Sequence, residues 1–268
     1  MDLPAYVDRV GLRLPLPPTV ATLAALLAAH TRAIPFENLD VLLGREIRLD
    51  PDSLQRKLVR ERRGGYCFEQ NGLLLEVLRD LGFVAAPLSA RVRLRQPRDF
   101  MPPRTHLFVR VEIEGTTWLA DAGIGSFSLT APIRLVPDLA QTTPHETRRL
   151  VREGPLWFHQ VRLGGEWQDV YDFTLEEMPP IDRELASWYT STHPNSKFRL
   201  NLSVARADEN GRRRSLLNRE FTVRHPDGHG ESRMLESPED LRLCLAENFG
   251  LEFPGGTDFP CPGLIWTP

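Results

Sequence analysis

The sequence predicts an α+β protein that is helical first, stranded in the middle and mixed at its end. Three observations carry that prediction. Ala/Leu-rich stretches and helix-opening signals crowd the first third of the 268 residues. Short runs of apolar and β-branched residues, parted by Gly, Pro and polar turns, follow from residue 88 to residue 173. The last third carries both patterns, and the 23 prolines favour many fixed turns over a long bundle.

The elements follow in order. Residues 18–30 read as a helix. Asp50-Pro51-Asp52 opens a second over 53–60, with proline where a first helical turn tolerates it. A third starts near Cys67 and runs to Leu81, with Gly82 as its C-cap. Strands are expected at 88–94, 106–113, 117–121, 156–163 and 167–173, with breaks at Gly154-Pro155 and Gly164-Gly165. Residues 198–205 and 219–224 read as two more. Ser237-Pro238-Glu239-Asp240 supplies an N-cap, a proline at N1 and an acid at N3, opening a helix through Phe249. The Pro/Gly-rich stretch 254–268 is expected as an extended strap or a loose tail.

Composition excludes several classes. Apolar residues make up 41% and charged residues 26%, as in soluble globular chains. A formal net charge of −3 gives no ground for nonspecific nucleic-acid binding. Residues 20–29 are apolar, but His30 and Arg32 end the run well short of a membrane span. The N-terminus lacks the basic segment of a signal peptide. Cys67, Cys244 and Cys261 are an odd, scattered set, which argues against a disulfide framework and for a reducing, cytoplasmic setting. No metal site is expected: there is no Cys-x-x-Cys, and Pro226-Asp227-Gly228 turns the chain between His225 and His229.

Chemistry concentrates in Arg62-Arg63-Gly64-Gly65-Tyr66-Cys67-Phe68-Glu69-Gln70-Asn71. Two glycines allow close backbone approach. A thiol at a helix N-terminus feels the positive end of the peptide dipoles, which favours the nucleophilic thiolate. Backbone N–H groups there can hold an oxyanion. Cys244 lies among leucines and reads as core, while Cys261, between prolines, has no assigned role. Arg91, Arg93, Arg95, Arg98 and Arg104 read mostly as solvated charge, with a phosphate contact left open.

A histidine and an aspartate are placed together by a hairpin. With Glu114 and Gly115 as the two central turn residues, Phe108 falls opposite Asp121 and His106 opposite Gly123. His106 and Asp121 are then diagonal neighbours on one face, about 7–8 Å apart by backbone and within side-chain reach. A three-residue loop would break this pairing. If Cys67 meets His106, the imidazole accepts the thiol proton and Asp121 orients the ring, as acyl transfer through a thioester requires.

The chain resembles the arylamine N-acetyltransferase family in its bacterial form. The likeness rests on five segments in family order: Ile34-Pro35-Phe36-Glu37-Asn38-Leu39-Asp40, Arg63 to Asn71, Pro103-Arg104-Thr105-His106, Asp121-Ala122-Gly123-Ile124-Gly125, and Trp188 to Phe198. The resemblance implies a papain-like core in three regions: a helical bundle (1–84) carrying Cys67, a β-barrel (85–195) carrying His106 and Asp121, and an α/β lid (196–268). It implies acetyl-CoA as co-substrate, without a metal. The acceptors would be arylamines, arylhydrazines or N-hydroxyarylamines, and no nucleic acid or membrane would take part. Cys67, His106 and Asp121 match the family triad, and Glu37 and Arg63 a supporting ion pair. Phe36, Val92 and Ile124 map to the acceptor pocket, with Ile124 where the family usually has Phe. Arg104, Thr105, Gly125, Ser126 and Phe127 lie where the donor pantetheine should pass. Two rival readings share these residues: an acyltransferase or amide synthase using another acyl donor in natural-product assembly, and a papain- or transglutaminase-like amide hydrolase.

Overall fold

A computed structural model describes residues 1–266. Helix α1 (Leu3–Val10) is capped by Asp2, whose carboxylate accepts from the Ala5 N–H at 3.1 Å. Helix α2 (Val20–Ala33) is capped by Thr19. Strand β1 (Phe36–Glu37) and the one-turn helix α3 (Leu39–Leu42) lead to α4 (Pro51–Leu54), which continues as a π-helical stretch, Gln55–Arg60. Helix α5 (Cys67–Asp80) follows, and Gly82 turns out of it at φ 85°. Leu23, Leu26 and Leu27 of α2, Leu73, Leu74 and Leu78 of α5 and Tyr6 of α1 are fully buried together, each leucine stabilising the fold by about 1.5–3 kcal/mol.

The middle of the chain forms an eight-stranded antiparallel sheet. Its members are β2 (Val84–Val92), β3 (His106–Ile113), β4 (Thr116–Ala120), β5 (Ile133–Arg134), β6 (Gln141–Thr142), β7 (Thr147–Glu153), β8 (Leu156–Leu163) and β9 (Glu166–Glu177), in the order β5-β4-β3-β2-β9-β8-β7-β6. The sheet curls into a nearly closed barrel around Leu88, Phe108, Leu119, Val161, Tyr171 and Phe173. Glu114 and Gly115 take φ of 49° and 71°, the conformation a two-residue hairpin needs. Val109 therefore pairs with Ala120 and Ile113 with Thr116, the register expected from the turn.

After helices α6 (Pro180–Thr192) and α7 (Lys197–Leu200), a second sheet runs β1-β10-β11-β12-β13, with β10 Ser203–Ala207, β11 Arg213–Leu217, β12 Glu220–Arg224 and β13 Gly230–Met234. Helix α8 (Pro238–Phe249) starts at the Ser237 cap and covers this sheet, burying Cys244 among Leu241, Leu245 and Phe249.

Two expectations are corrected, some elements are new, and one alternative left open is resolved. Residues 198–205 are not one strand, because the Ser196 hydroxyl caps α7 and the strand begins only at Ser203. Helices α1 and α6 and strands β7, β11 and β13 were not anticipated. Arg93 is buried rather than solvated, paired with Asp172 and holding the Phe100 carbonyl. The stretch after Pro254 packs as a strap: Phe259 meets Phe253 edge-on at 5.0 Å and the Gly263 N–H reaches the Leu200 carbonyl at 2.8 Å. Its last two residues lie outside the described ones.

Candidate active site

Cys67 is the first residue of α5 and is 4% exposed. The two glycines before it explain its placement. A Cβ on Gly64 would stand 2.0 Å from the Pro35 carbonyl oxygen, and one on Gly65 would stand 2.6 Å from Glu69 Oε2. Only glycine lets this loop close against residues 35–37 while Glu69 accepts from the Tyr66 N–H at 3.0 Å. The Cys67 and Phe68 N–H groups, in the first turn, have no acceptor within the helix.

Under this loop lies a buried ion network. Arg63 Nη2 is 2.6 Å from Glu37 Oε1 and 3.1 Å from Asp40. Lys57 Nζ bridges Asp40 at 2.8 Å and Glu69 at 2.6 Å. Burial pushes the Asp40 carboxyl up, but Lys57 and Arg63 outweigh it and hold it below the usual range. Removing one partner from such a network strands a buried charge, at about 3–5 kcal/mol.

The hairpin brings His106 and Asp121 together as its register requires. His106 Nε2 is 2.8 Å from Asp121 Oδ2, both buried. Burial pushes the imidazole pKa down, but the Asp121 carboxylate, with a smaller contribution from the neighbouring Cys67, reverses this and raises it from 6.5 to about 10. With Nε2 occupied by Asp121, Nδ1 is the ring nitrogen left free to take a proton, and the nearby Cys67 thiol donates to the Thr105 carbonyl at 3.5 Å. The ring lies parallel to Phe108 at 6.3 Å and leans on Tyr171 at 5.2 Å, which fixes its plane.

Asp121 is itself held by donors. Its Oδ1 accepts from Asn71 Nδ2 and from the Gly123 N–H, each at 2.9 Å. Asn71 also donates to the Leu107 carbonyl at 2.6 Å and accepts from the Ala122 N–H at 2.8 Å. No role was assigned to Asn71 from the sequence, although the signal was present: it stands four residues after Cys67 and so shares its helix face. Cys67 approaches His106 and Asp121 because Asn71 ties α5 to the hairpin.

The site opens into a cavity of about 480 Å³. Phe36, Val92, Thr105, Ile124, Gly125 and Ser126, all expected near substrate, line it. Arg104 and Phe127 do not: Arg104 faces Glu176 at 3.5 Å, and Phe127 packs against the barrel core under Arg224. Residues not anticipated complete the wall, among them Phe100, Tyr189 and Phe198. Phe198 sits 5.8 Å from Phe36 and 5.6 Å from Tyr66, and the α7 turn that carries it was invisible as a helix in the sequence. A larger groove, about 980 Å³ between residues 44–51 and α6, does not include any of the three residues of the cluster. Among the described residues no group of three or more His, Cys, Asp or Glu converges as a metal would need, and no helix is long and apolar enough to cross a membrane.

Gly123 tests how tightly this geometry is drawn. A Cβ there would stand 2.6 Å from Asn71 Nδ2 and 2.7 Å from the Cys67 Cα. Gly123→Ala is expected to push α5 off the hairpin and lower kcat about 10²-fold, the scale of an ångström misplacement. Turnover and a melting curve on one preparation check this; wild-type kcat would contradict it.

A family model described as N-acetyltransferase matches residues 19–257. The arylamine N-acetyltransferase of Escherichia coli K12 is 46% identical over 87% of this chain and 82% of its own length. That of Mycolicibacterium smegmatis is 42% identical over 94% and 92%. Among solved structures, the Salmonella typhimurium arylamine N-acetyltransferase superposes with a TM-score of 0.89 at 43% identity, covering 93% of this chain and 90% of that one. The Mycobacterium marinum enzyme in complex with CoA gives 0.89 at 37% identity over 93% and 92%.

Proposed function

We infer, because the chain belongs to the arylamine N-acetyltransferase family, that it carries out that family's acetyl transfer to arylamines with acetyl-CoA as donor and Cys67 as the acyl carrier. One observation supports the assignment of residues above all: Cys67 and His106 line the same cavity while Asp121 holds Nε2 of the ring.

The chemistry runs in two halves. His106 takes the Cys67 proton, and the thiolate attacks the acetyl carbonyl of acetyl-CoA. Backbone N–H groups at the start of α5 offset charge on the tetrahedral oxyanion. The CoA thiolate leaves, and its proton comes from the imidazolium. The arylamine nitrogen then attacks the thioester, His106 accepts its proton, and Cys67 is released. Aromatic amines suit the site because they are neutral at pH 7, with the lone pair free. The apolar wall of Phe36, Val92 and Ile124 suits a flat ring, and an aliphatic side chain at Ile124 leaves more room for the acceptor.

Glu37 and Arg63 shape the nucleophile loop and take no part in proton transfer. The division of the chain at residues 84 and 195 belongs to the same reading, supported by a separate apolar cluster beneath the C-terminal sheet. A cytoplasmic setting suits a reaction that needs a reduced thiol.

A double displacement has a kinetic signature. Initial rates at several fixed acetyl-CoA concentrations, plotted reciprocally against arylamine, are expected to give parallel lines. Intersecting lines would indicate a ternary complex and overturn the acyl-enzyme route.

A further inference from the structure

Three arginines converge on one carboxylate beside the cavity wall. Glu146, buried just before β7, lies 2.8 Å from Arg148 Nη2, 2.6 Å from Arg213 Nε and 2.7 Å from Arg224 Nη2. The same three guanidinium groups reach three consecutive carbonyls. Arg224 donates to Ser126 O at 3.1 Å, Arg148 to Phe127 O at 3.0 Å and Arg213 to Ser128 O at 2.8 Å. Arg224 also covers the Phe127 ring at 4.8 Å. Ser126 lines the cavity, and the segment begins five residues after Asp121.

Stability alone does not account for this cluster. Three cations share one anion, and Arg148 and Arg213 are almost wholly buried. Desolvating them is costly, and such groups rarely stabilise a fold more than apolar residues of equal size. What they supply is direction. A guanidinium presents donors in a rigid plane, and in all three arginines the Nη2 held by Glu146 is also the one that donates to a carbonyl, so the carboxylate fixes where that donor points. The three come from two sheets, Arg148 from β7 and Arg213 and Arg224 from β11 and β12. The wall segment is thus gripped from both sides.

We propose that Glu146, Arg148, Arg213 and Arg224 are positioning residues that clamp the carbonyls of Ser126, Phe127 and Ser128, so that Gly125 and Ser126 keep the cavity wall in the shape that seats donor and acceptor. The inference rests on the acetyl-transfer reading above. It makes the C-terminal sheet part of the site's architecture: loosening β12 should be felt as weaker substrate binding, with the thiol chemistry intact.

The experiment starts with the wild-type enzyme and acetyl-CoA plus an arylamine. Absence of turnover there would end the acetyltransferase reading itself. Given turnover, Arg224→Ala is expected to raise KM for acetyl-CoA about tenfold with kcat little changed, since it removes uniform binding and not a transition-state contact. The pH profile of Cys67 alkylation by iodoacetamide should stay that of the wild type. Arg224→Lys covers the case in which the alanine variant does not fold. Its compact ammonium keeps a charge near Glu146 but lacks the guanidinium plane that lies over Phe127 and sets Nη2 between Glu146 and the Ser126 carbonyl, and a KM rise of several-fold is expected. Arg214→Ala, on β11 next to Arg213, removes a partner of Asp208 and should leave both parameters unchanged. Unchanged KM in both Arg224 variants, or a fall in kcat with a displaced alkylation profile, would overturn the proposal.

Discussion

Alanine at position 67 is expected to abolish acetyl transfer, with kcat lower by at least about 10⁴-fold, while the fold survives. The sulfur is the one atom lost. Its surroundings, Phe36, Tyr66, Phe68 and Leu107, pack through their own contacts. The α5 N-terminus keeps its bond from the Tyr66 N–H to Glu69, and Asn71 still ties the helix to the hairpin. No other thiol can substitute. Cys244 lies in the C-terminal core, where burial pushes its pKa up to about 11, and burial raises that of Cys261 too. Steady-state turnover beside a thermal melt separates lost chemistry from lost structure. Residual turnover within tenfold of wild type would remove Cys67 from the reaction.

Asp121→Asn is the second large effect, with an expected loss of about 10⁴-fold, as for other triads deprived of their carboxylate. Three donors surround the Asp121 carboxylate: Asn71 Nδ2 and the Gly123 N–H on Oδ1, and His106 on Oδ2. An amide has one oxygen. If that oxygen keeps Asn71 and Gly123, the amide nitrogen faces His106 Nε2 and forces the proton onto Nδ1. That is the nitrogen needed to accept from Cys67, so the base is blocked. If the amide flips, its N–H₂ meets two donors in a buried place and the hairpin loosens.

The charge argument points the same way. In the wild type Asp121 raises His106 to about 10, so the imidazolium persists through neutral pH. Without the carboxylate the largest opposition to burial is gone, and the ring's pKa falls toward the neutral form. Alkylation of Cys67 by iodoacetamide at pH 7 should slow markedly in Asp121→Asn; an unchanged rate would contradict the account. The sign for stability follows from linkage: the raised imidazole stabilises the fold below about pH 6.5, and this contribution fades as pH rises through about 10.

The sequence carried the site further than the fold around it. Cys67, His106 and Asp121 were legible because local rules place them: glycines before a helix start, and a two-residue turn whose register can be counted. Helix α8 was legible from Ser237-Pro238 for the same reason. Strands β7 and β11 were not, and the physical cause is specific. Each points an arginine inward, Arg148 and Arg213, where alternation demands an apolar side chain. Both face Glu146, so the pattern makes sense only once tertiary contacts are known. Arg93 was misread in the same way, because its partner Asp172 lies 79 residues on. Helix α6 escaped because its exposed face carries Ile181, Leu185 and Trp188, which blurs the amphipathic signal.

The most direct test is to weigh the protein after brief incubation with acetyl-CoA, then locate any added mass by peptide mapping. One acetyl group on the peptide bearing Cys67, discharged on adding an arylamine and missing from Cys67→Ala, is the predicted result. An unmodified chain that still turns over arylamine, or an acetyl group on any other residue that the acceptor discharges, would contradict it.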